Sequence, residues 1–152
     1  MSIVSDIEKL KKEKNAVILA HYYVDEDVQD IADYIGDSFY LSKVATKIDQ
    51  DRIIFAGVEF MGESAKILNP DKRVFMPDMN ADCPMAHMAD KDEILKLREE
   101  YDDLAVVCYI NSTAELKKYS DVCVTSSNAV KIVKNLPNKN IFFIPDRNLG
   151  HF

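Results

Sequence analysis

Short apolar runs alternate along the chain with segments whose apolar residues recur at helical spacing. Ala16 to Ala20 is one such run, the pattern of a strand buried on both faces of a parallel sheet. Before it, Ser5 with Glu8 spells a capping box and predicts a charged helix ending near Asn15. Val28, Ile31, Ala32 and Ile35 follow at helical spacing, with Gly36 suited to a helix stop. Phe39 to Lys47 reads as a further helix with Ser38 as its cap. Arg52 to Ala56 reads as strand, Met61 to Leu68 as helix closed by Pro70, and Arg73 to Met76 as strand. Next come a helix over Asp92 to Tyr101, a strand over Leu104 to Tyr109, and a helix behind a second capping box, Ser112 with Glu115. The strand Asp121 to Thr125, the helix Ser127 to Asn135 and the strand Ile141 to Ile144 complete the series.

Strand and helix alternating with short connections predict an α/β fold of repeated three-layer αβα units with short parallel sheets and right-handed crossovers. The wording also repeats. Val74-Phe75-Met76-Pro77-Asp78-Met79-Asn80 resembles Phe142-Phe143-Ile144-Pro145-Asp146-Arg147-Asn148, 68 positions on, and Ala65-Lys66-Ile67 resembles Val130-Lys131-Ile132, 65 on. Ala16 to Tyr23 resembles Leu104 to Asn111, 88 on. Two related units are therefore expected, at 1–85 and 86–152, the second incomplete at its C-terminal end. The long connection Pro77 to Asp90 lies at the expected boundary.

Composition narrows the function. Apolar residues make up 47% of the 152, enough for a core. A net charge of −7, with acids scattered through the helices, argues against a nucleic-acid surface, which needs a basic stripe. No apolar run approaches the roughly 18 residues of a membrane span, and the charged, helical start does not read as a signal peptide. Three cysteines without regular spacing in such a chain do not suggest disulfides, so a cytoplasmic location is expected. Four glycines, Gly36, Gly57, Gly62 and Gly150, are too few and too scattered for a dinucleotide fingerprint or a P-loop.

Ligands of open parallel sheets sit beyond the carboxyl ends of the strands, where helix N-termini also point. That rule collects His21 and Tyr23 after the first strand, Ser38 at a helix start, and Glu59 and Met61 after the next strand. It adds Tyr109 and Asn111, then Ser126 and Ser127 at another helix start, and Cys83 in the polar loop. Proton donors, hydroxyls, an amide and free helix starts suit a small anionic substrate. Each has a plainer reading: His21 as an edge residue, the serines as caps, Tyr22 and Tyr23 as core and rim, Met61 and Met85 as packing. Cys108 and Cys123, inside apolar strands, read as small buried hydrophobes. Cys83 and His87, four apart, could form a metal pair, though two ligands seldom complete a site. His151 says little.

Seven segments carry a resemblance in consistent order: Ala20-His21-Tyr22-Tyr23, Gly36-Asp37-Ser38, Gly57 to Ala65, Ala81-Asp82-Cys83-Pro84-Met85-Ala86, Tyr109-Ile110-Asn111-Ser112, Val124 to Ala129, and Pro145 to Gly150. Together they resemble the quinolinate synthase family, whose members condense iminoaspartate with dihydroxyacetone phosphate to quinolinate in NAD biosynthesis. The resemblance implies the N-terminal two-thirds or so of such an enzyme, with two of three pseudo-symmetric domains. It implies a [4Fe–4S] cluster with Cys83 as one ligand, two further cysteines outside this chain, and an open iron acting as Lewis acid. It implies His21, Ser38, Met61, Tyr109, Asn111 and Ser126 as substrate-binding residues, and His21, Tyr23 and Tyr109 as catalytic ones.

On that basis the chain alone is expected to be inactive and to work as part of a complete chain. L-aspartate oxidase, which makes iminoaspartate, is an implied partner; nucleic acid and membrane are not. The other reading is a cluster-free fragment that binds a dicarboxylate without catalysis, and a third is a thiol or zinc protein using Cys83 and His87.

Overall fold

The computed structural model describes residues 2–151 and divides the chain into two compact units, Met1–Asp82 and Cys83–Phe152. Cys83 therefore opens the second unit.

The first unit runs α1 (Ile3–Glu13), β1 (Ala16–His21), α2 (Glu26–Asp30), β2 (Tyr34–Gly36), α3 (Ser38–Ala45), β3 (Arg52–Ala56), α4 (Glu59–Leu68) and β4 (Arg73–Phe75). Its four strands are parallel, in the order β2-β1-β3-β4. The second unit begins with a 3-10 turn, Pro84–His87, and continues through α5 (Lys91–Glu100), β5 (Leu104–Tyr109), α6 (Ala114–Lys118), β6 (Val122–Val124), α7 (Ala129–Val133), β7 (Asn140–Ile144) and α8 (Arg147–His151). Its three strands are parallel in the order β6-β5-β7. Both units are the α/β class that the alternation predicts.

The central strands carry the cores. Val17 to Ala20 in β1 and Ala105 to Cys108 in β5 are buried throughout, so both faces of each sheet are covered. In the second unit one face packs Ile94, Val106, Cys108, Leu116 and Ile144 beneath α5 and α6. The other packs Val107, Val124 and Ala129 beneath α7.

The two units share one register at a constant offset of 88 positions. Ala16 pairs with Arg52 as Leu104 pairs with Asn140, and Leu19 with Tyr34 as Val107 with Val122. Hence β1, β2 and β3 correspond to β5, β6 and β7. The similar wording 68 positions apart marks no structural equivalence: β7 lies beside the central strand, as β3 does, whereas β4 lies outside β3. Both segments are apolar strands ending in Pro-Asp, which is enough to make them read alike.

Four local expectations are corrected. The helical spacing through Ile35 ends early, because Asp33 donates its N–H to the Ile18 carbonyl at 2.9 Å and Tyr34–Gly36 then joins β1 as a strand. The helix caps are neighbours of the serines expected. Ser2 accepts from the Ser5 N–H, Asp37 from Tyr40 and Thr113 from Leu116. Ser112 is instead fully buried and donates its hydroxyl to the Tyr109 carbonyl at 2.7 Å. Cys123 is exposed rather than buried, because β6 is an edge strand. Finally, the helix predicted from Ser127 starts at Ala129, since Thr125 to Asn128 form a turn closed by the Asn128 side chain accepting the Thr125 N–H.

Candidate functional site

In the first unit the carboxyl ends of β1 and β2 lie side by side, His21 paired with Gly36. The His21 ring stacks on Tyr22 at 4.6 Å and meets Tyr23 edge-on at 4.5 Å. Its Nδ1 accepts the Tyr23 N–H at 3.2 Å, which leaves the ring proton on Nε2. Burial lowers the His21 pKa below its ordinary value, with Asp37 pulling weakly the other way. The ring is therefore a neutral Nε2–H donor at pH 7. Tyr23 is 83% exposed. Tyr22 is pushed up by its hydrogen bond to Tyr23, so that phenol stays protonated.

Ser38 is the first residue of α3. Because Asp37 does the capping, the Ser38 hydroxyl is not used for it. Glu59 opens α4 and donates its N–H to the Ala81 carbonyl, tying the loop before Cys83 to that helix start. Met61 is 3% exposed and packs within the core, against Gly57.

In the second unit β5 ends at Tyr109. Burial raises its pKa first, then the Asp146 carboxylate and the Cys83 thiol. Phenol, carboxylate and thiol thus share one electrostatic neighbourhood, and the phenol is held protonated as a donor. Asn111 follows with its Oδ1 buried and without a hydrogen-bond partner. An orphaned buried acceptor is unfavourable for folding and marks Asn111 as a candidate for meeting a ligand donor. Ser126 is exposed in the turn after β6, beside the Thr125–Ser127 hydroxyl pair at 2.9 Å. Cys83 is half-buried at the start of the 3-10 turn, its carbonyl accepting the Ala86 N–H. His87 ends that turn on the exposed side and His151 lies exposed in α8.

The 88-residue correspondence orders these candidates. His21 answers Tyr109 at the end of the central strand, and Ser38 answers Ser126 after the edge strand. Tyr23 answers Asn111. Each unit therefore presents a ring-bearing polar donor and a hydroxyl at the same stations of its sheet. Asp146, beside Tyr109, is the residue that the strand-end rule passed over; its signal was its place in the Pro-Asp directly after β7 and before α8.

An iron–sulfur cluster takes three or four thiolates. Cys83, half-buried in a polar loop beside Tyr109, suits one corner of such a group. Cys108 and Cys123 are instead register partners on β5 and β6, Cys108 packed beneath α5 and α6 and Cys123 exposed at the sheet edge. Among the described residues no three His, Cys, Asp or Glu side chains converge as a metal site. A separate apolar hollow of about 500 Å³ in the first unit, bounded by Leu10, Ile18, Ile54 and Phe75, lies by α1 and away from the strand ends that carry His21 and Ser38. No described helix is long and apolar enough to cross a membrane.

Comparison with known proteins agrees with the resemblance. The quinolinate synthase of Fusobacterium nucleatum is 67% identical over 146 residues, covering 96% of this chain and 49% of that protein. That of Clostridium perfringens is 57% identical over 152 residues, covering 100% and 50%. That of Caldicellulosiruptor saccharolyticus is 55% identical over 150 residues, covering 99% and 50%. The chain thus spans about half the length of the curated relatives it matches, rather than the two-thirds expected. The family described as Quinolinate synthetase A protein matches residues 5–152, and the chain belongs to that family.

Proposed function

We propose that this chain supplies one portion of a quinolinate synthase, a transferase that condenses iminoaspartate with dihydroxyacetone phosphate and dehydrates the adduct to quinolinate for NAD biosynthesis. The observation that carries the reading is that His21 and Tyr109, and Ser38 and Ser126, occupy equivalent positions after the strands of their own units. Substrates of this reaction are small and anionic, and both units offer them neutral donors at those ends. The names of the relatives support the family's reaction, and the fold supports the stations.

In this reading the Ser38 and Ser126 hydroxyls donate to substrate carboxylate or phosphate oxygens. His21 donates through Nε2–H, held in that tautomer by the Tyr23 amide. Asn111 Oδ1 accepts from the substrate amine or hydroxyl, ending its isolation. Tyr109, kept protonated by burial and by Asp146, delivers a proton to a departing hydroxyl. Tyr23, on the exposed side of His21, is the second phenol available for proton transfer. Met61, buried in the core, would bound the site from beneath rather than touch substrate through a polar atom. Cys83 would hold a [4Fe–4S] cluster, which when bound supplies a Lewis acid to polarise the leaving oxygen. The other ligands would come from sequence outside these 152 residues. Cytoplasmic operation beside L-aspartate oxidase belongs to the same proposal.

The test is anaerobic reconstitution of a chain of the family's full length that carries this sequence, with Cys83→Ala beside it. Iron, sulfide and quinolinate formation should all fall in the variant; a cluster and turnover equal to the parent would overturn the reading. A second reading, a dicarboxylate-binding fragment without cluster, is favoured for the 152 residues alone by the single suitable thiol. Calorimetry with quinolinate on this chain separates it: binding without iron or turnover is its signature.

A further inference from the structure

Cys108 and Cys123 are direct register partners on adjacent parallel strands. Neighbouring strands lie about 4.7–4.9 Å apart, and paired residues project to the same face. That spacing falls within the roughly 4.4–6.8 Å that a disulfide spans between Cα atoms. The two thiols differ in setting. Cys108 is fully buried in the cluster with Ile94 and Leu116, whereas Cys123 is exposed at the sheet edge. Both are free.

We propose that Cys108 and Cys123 form a dithiol exchange site, in which Cys123 is the attacking thiol and Cys108 the resolving one, and which closes to a cross-strand disulfide with small-molecule disulfides as oxidant. The chemistry of the surroundings supports this division. The neighbouring Cys108 thiol, the Ser120 hydroxyl 3.9 Å from the Cys123 sulfur and the Lys117 ammonium all favour the Cys123 thiolate, while Cys108 itself donates to the Tyr109 carbonyl at 3.4 Å. These outweigh burial and hold the Cys123 thiol down to about 6, so it is largely thiolate at neutral pH. Cys108 is pushed up by the neighbouring Cys123 sulfur and by burial.

The exchange balances in two steps. The Cys123 thiolate attacks one sulfur of a disulfide R–S–S–R, forming a Cys123–S–S–R bond and releasing RS⁻, which takes a proton from water. Cys108 then loses its proton to solvent and attacks the Cys123 sulfur, breaking the mixed disulfide and releasing the second RS⁻. Two protein thiols lose two electrons and one small disulfide becomes two thiols. The bridge would pin β6 to β5 one residue before Tyr109 and three before Ser126, which places the redox state of this pair beside two of the candidate site residues. It uses neither Cys83 nor any cluster, so it stands independently of the proposed reaction.

The experiment incubates the 152-residue chain with glutathione disulfide at pH 7 and maps the products by non-reducing tryptic mass spectrometry. Cleavage after Arg98, Lys117, Lys118 and Lys131 puts the two cysteines on separate peptides, so a bridge appears as a linked pair. The expected result is a 108–123 link in the parent, accumulation of a glutathione adduct on Cys123 in Cys108→Ser, and at least about tenfold slower modification in Cys123→Ser. A stable adduct on Cys123 with no link in the parent, or modification at Cys83 alone, would overturn the proposal. Because the link is read in the parent, the result does not depend on how well either variant folds.

Discussion

The carboxylate of Asp33 accepts the Ile18 N–H at 2.8 Å, and that of Asp121 accepts the Val106 N–H at 2.7 Å, 88 positions on. Each is also gripped by a base from the helix before the central strand, Lys11 of α1 at 2.9 Å and Arg98 of α5 at 2.8 Å. The same bases reach the carbonyls of Ile31 and Tyr119, two residues before each aspartate. The edge strand begins only after the aspartate, so without its side chain the central strand's N–H would lack a partner. The clasp sets edge against central strand and so fixes the height at which His21 and Tyr109 emerge.

Removing either clasp should therefore loosen one strand pair. Asp33→Ala and Asp121→Ala should each cost about 1–2 kcal/mol, the loss of a charged acceptor with an N–H left unmet, moderated because both carboxylates are partly exposed. Amide hydrogen exchange is the measurement. Protection should fall at Ile18 in the first variant and at Val106 in the second, with Asp→Asn intermediate. Unchanged protection at those amides would show that the register is held by packing alone.

The neutral His21 ring has a pH signature. Its folded pKa is depressed, so the fold favours the uncharged ring. The associated stability is present above the free value of about 6.5 and is lost as pH falls through the lower folded value. An NMR titration should show the His21 midpoint below 6.5 and an unprotonated Nδ1, the nitrogen that accepts from Tyr23. A midpoint above 6.5 would mean that Asp37 outweighs burial, and the neutral-donor role of His21 would be lost to the extent that the ring is then charged at pH 7.

Much of this was readable from the chain, and what was not has physical causes. β1, β3 and β5 stood out because strands buried on both faces are unbroken apolar runs. Tyr34–Gly36 did not, because three residues at an exposed edge carry almost no pattern and their strand state depends on Asp33 meeting Ile18. Caps slipped by one to three residues where several capping residues stand close together, as in Asp37-Ser38 and Ser112-Thr113. The Cys108–Cys123 pairing needed the register, which follows once Asp121 is aligned with Asp33 instead of matching the Pro-Asp strands. His21, Ser38, Tyr109 and Ser126 were located by strand-end logic; the burial of the Asn111 carbonyl oxygen was not, since burial of one atom is a tertiary property.

Gly36 tests how closely the first site is packed. It pairs with His21, and a Cβ there would collide with the Tyr40 ring from the first turn of α3. The obstacle is a ring, which cannot bend aside as a long aliphatic tip can. Gly36→Ala should cost about 1–3 kcal/mol as an overpacking change and displace Asp37 and Ser38. Gly36→Ala combined with Tyr40→Ala should recover part of the packing loss relative to the sum of the single changes. Additive losses in denaturant melts would exclude this contact as the cause.

Asn111 offers the sharpest separation of folding from binding. Its buried Oδ1 has no partner, a desolvation cost that the folded chain carries. Asn111→Ala removes that acceptor. Stability should therefore stay the same or rise, by up to about 1–2 kcal/mol in urea titration. If the atom is held for a substrate donor, quinolinate affinity should fall in the same variant by roughly tenfold, the worth of one hydrogen bond. A variant that is destabilised with affinity unchanged would assign Asn111 to the architecture of the turn after β5. Gain of stability with loss of binding is the combination that only a ligand-facing acceptor produces.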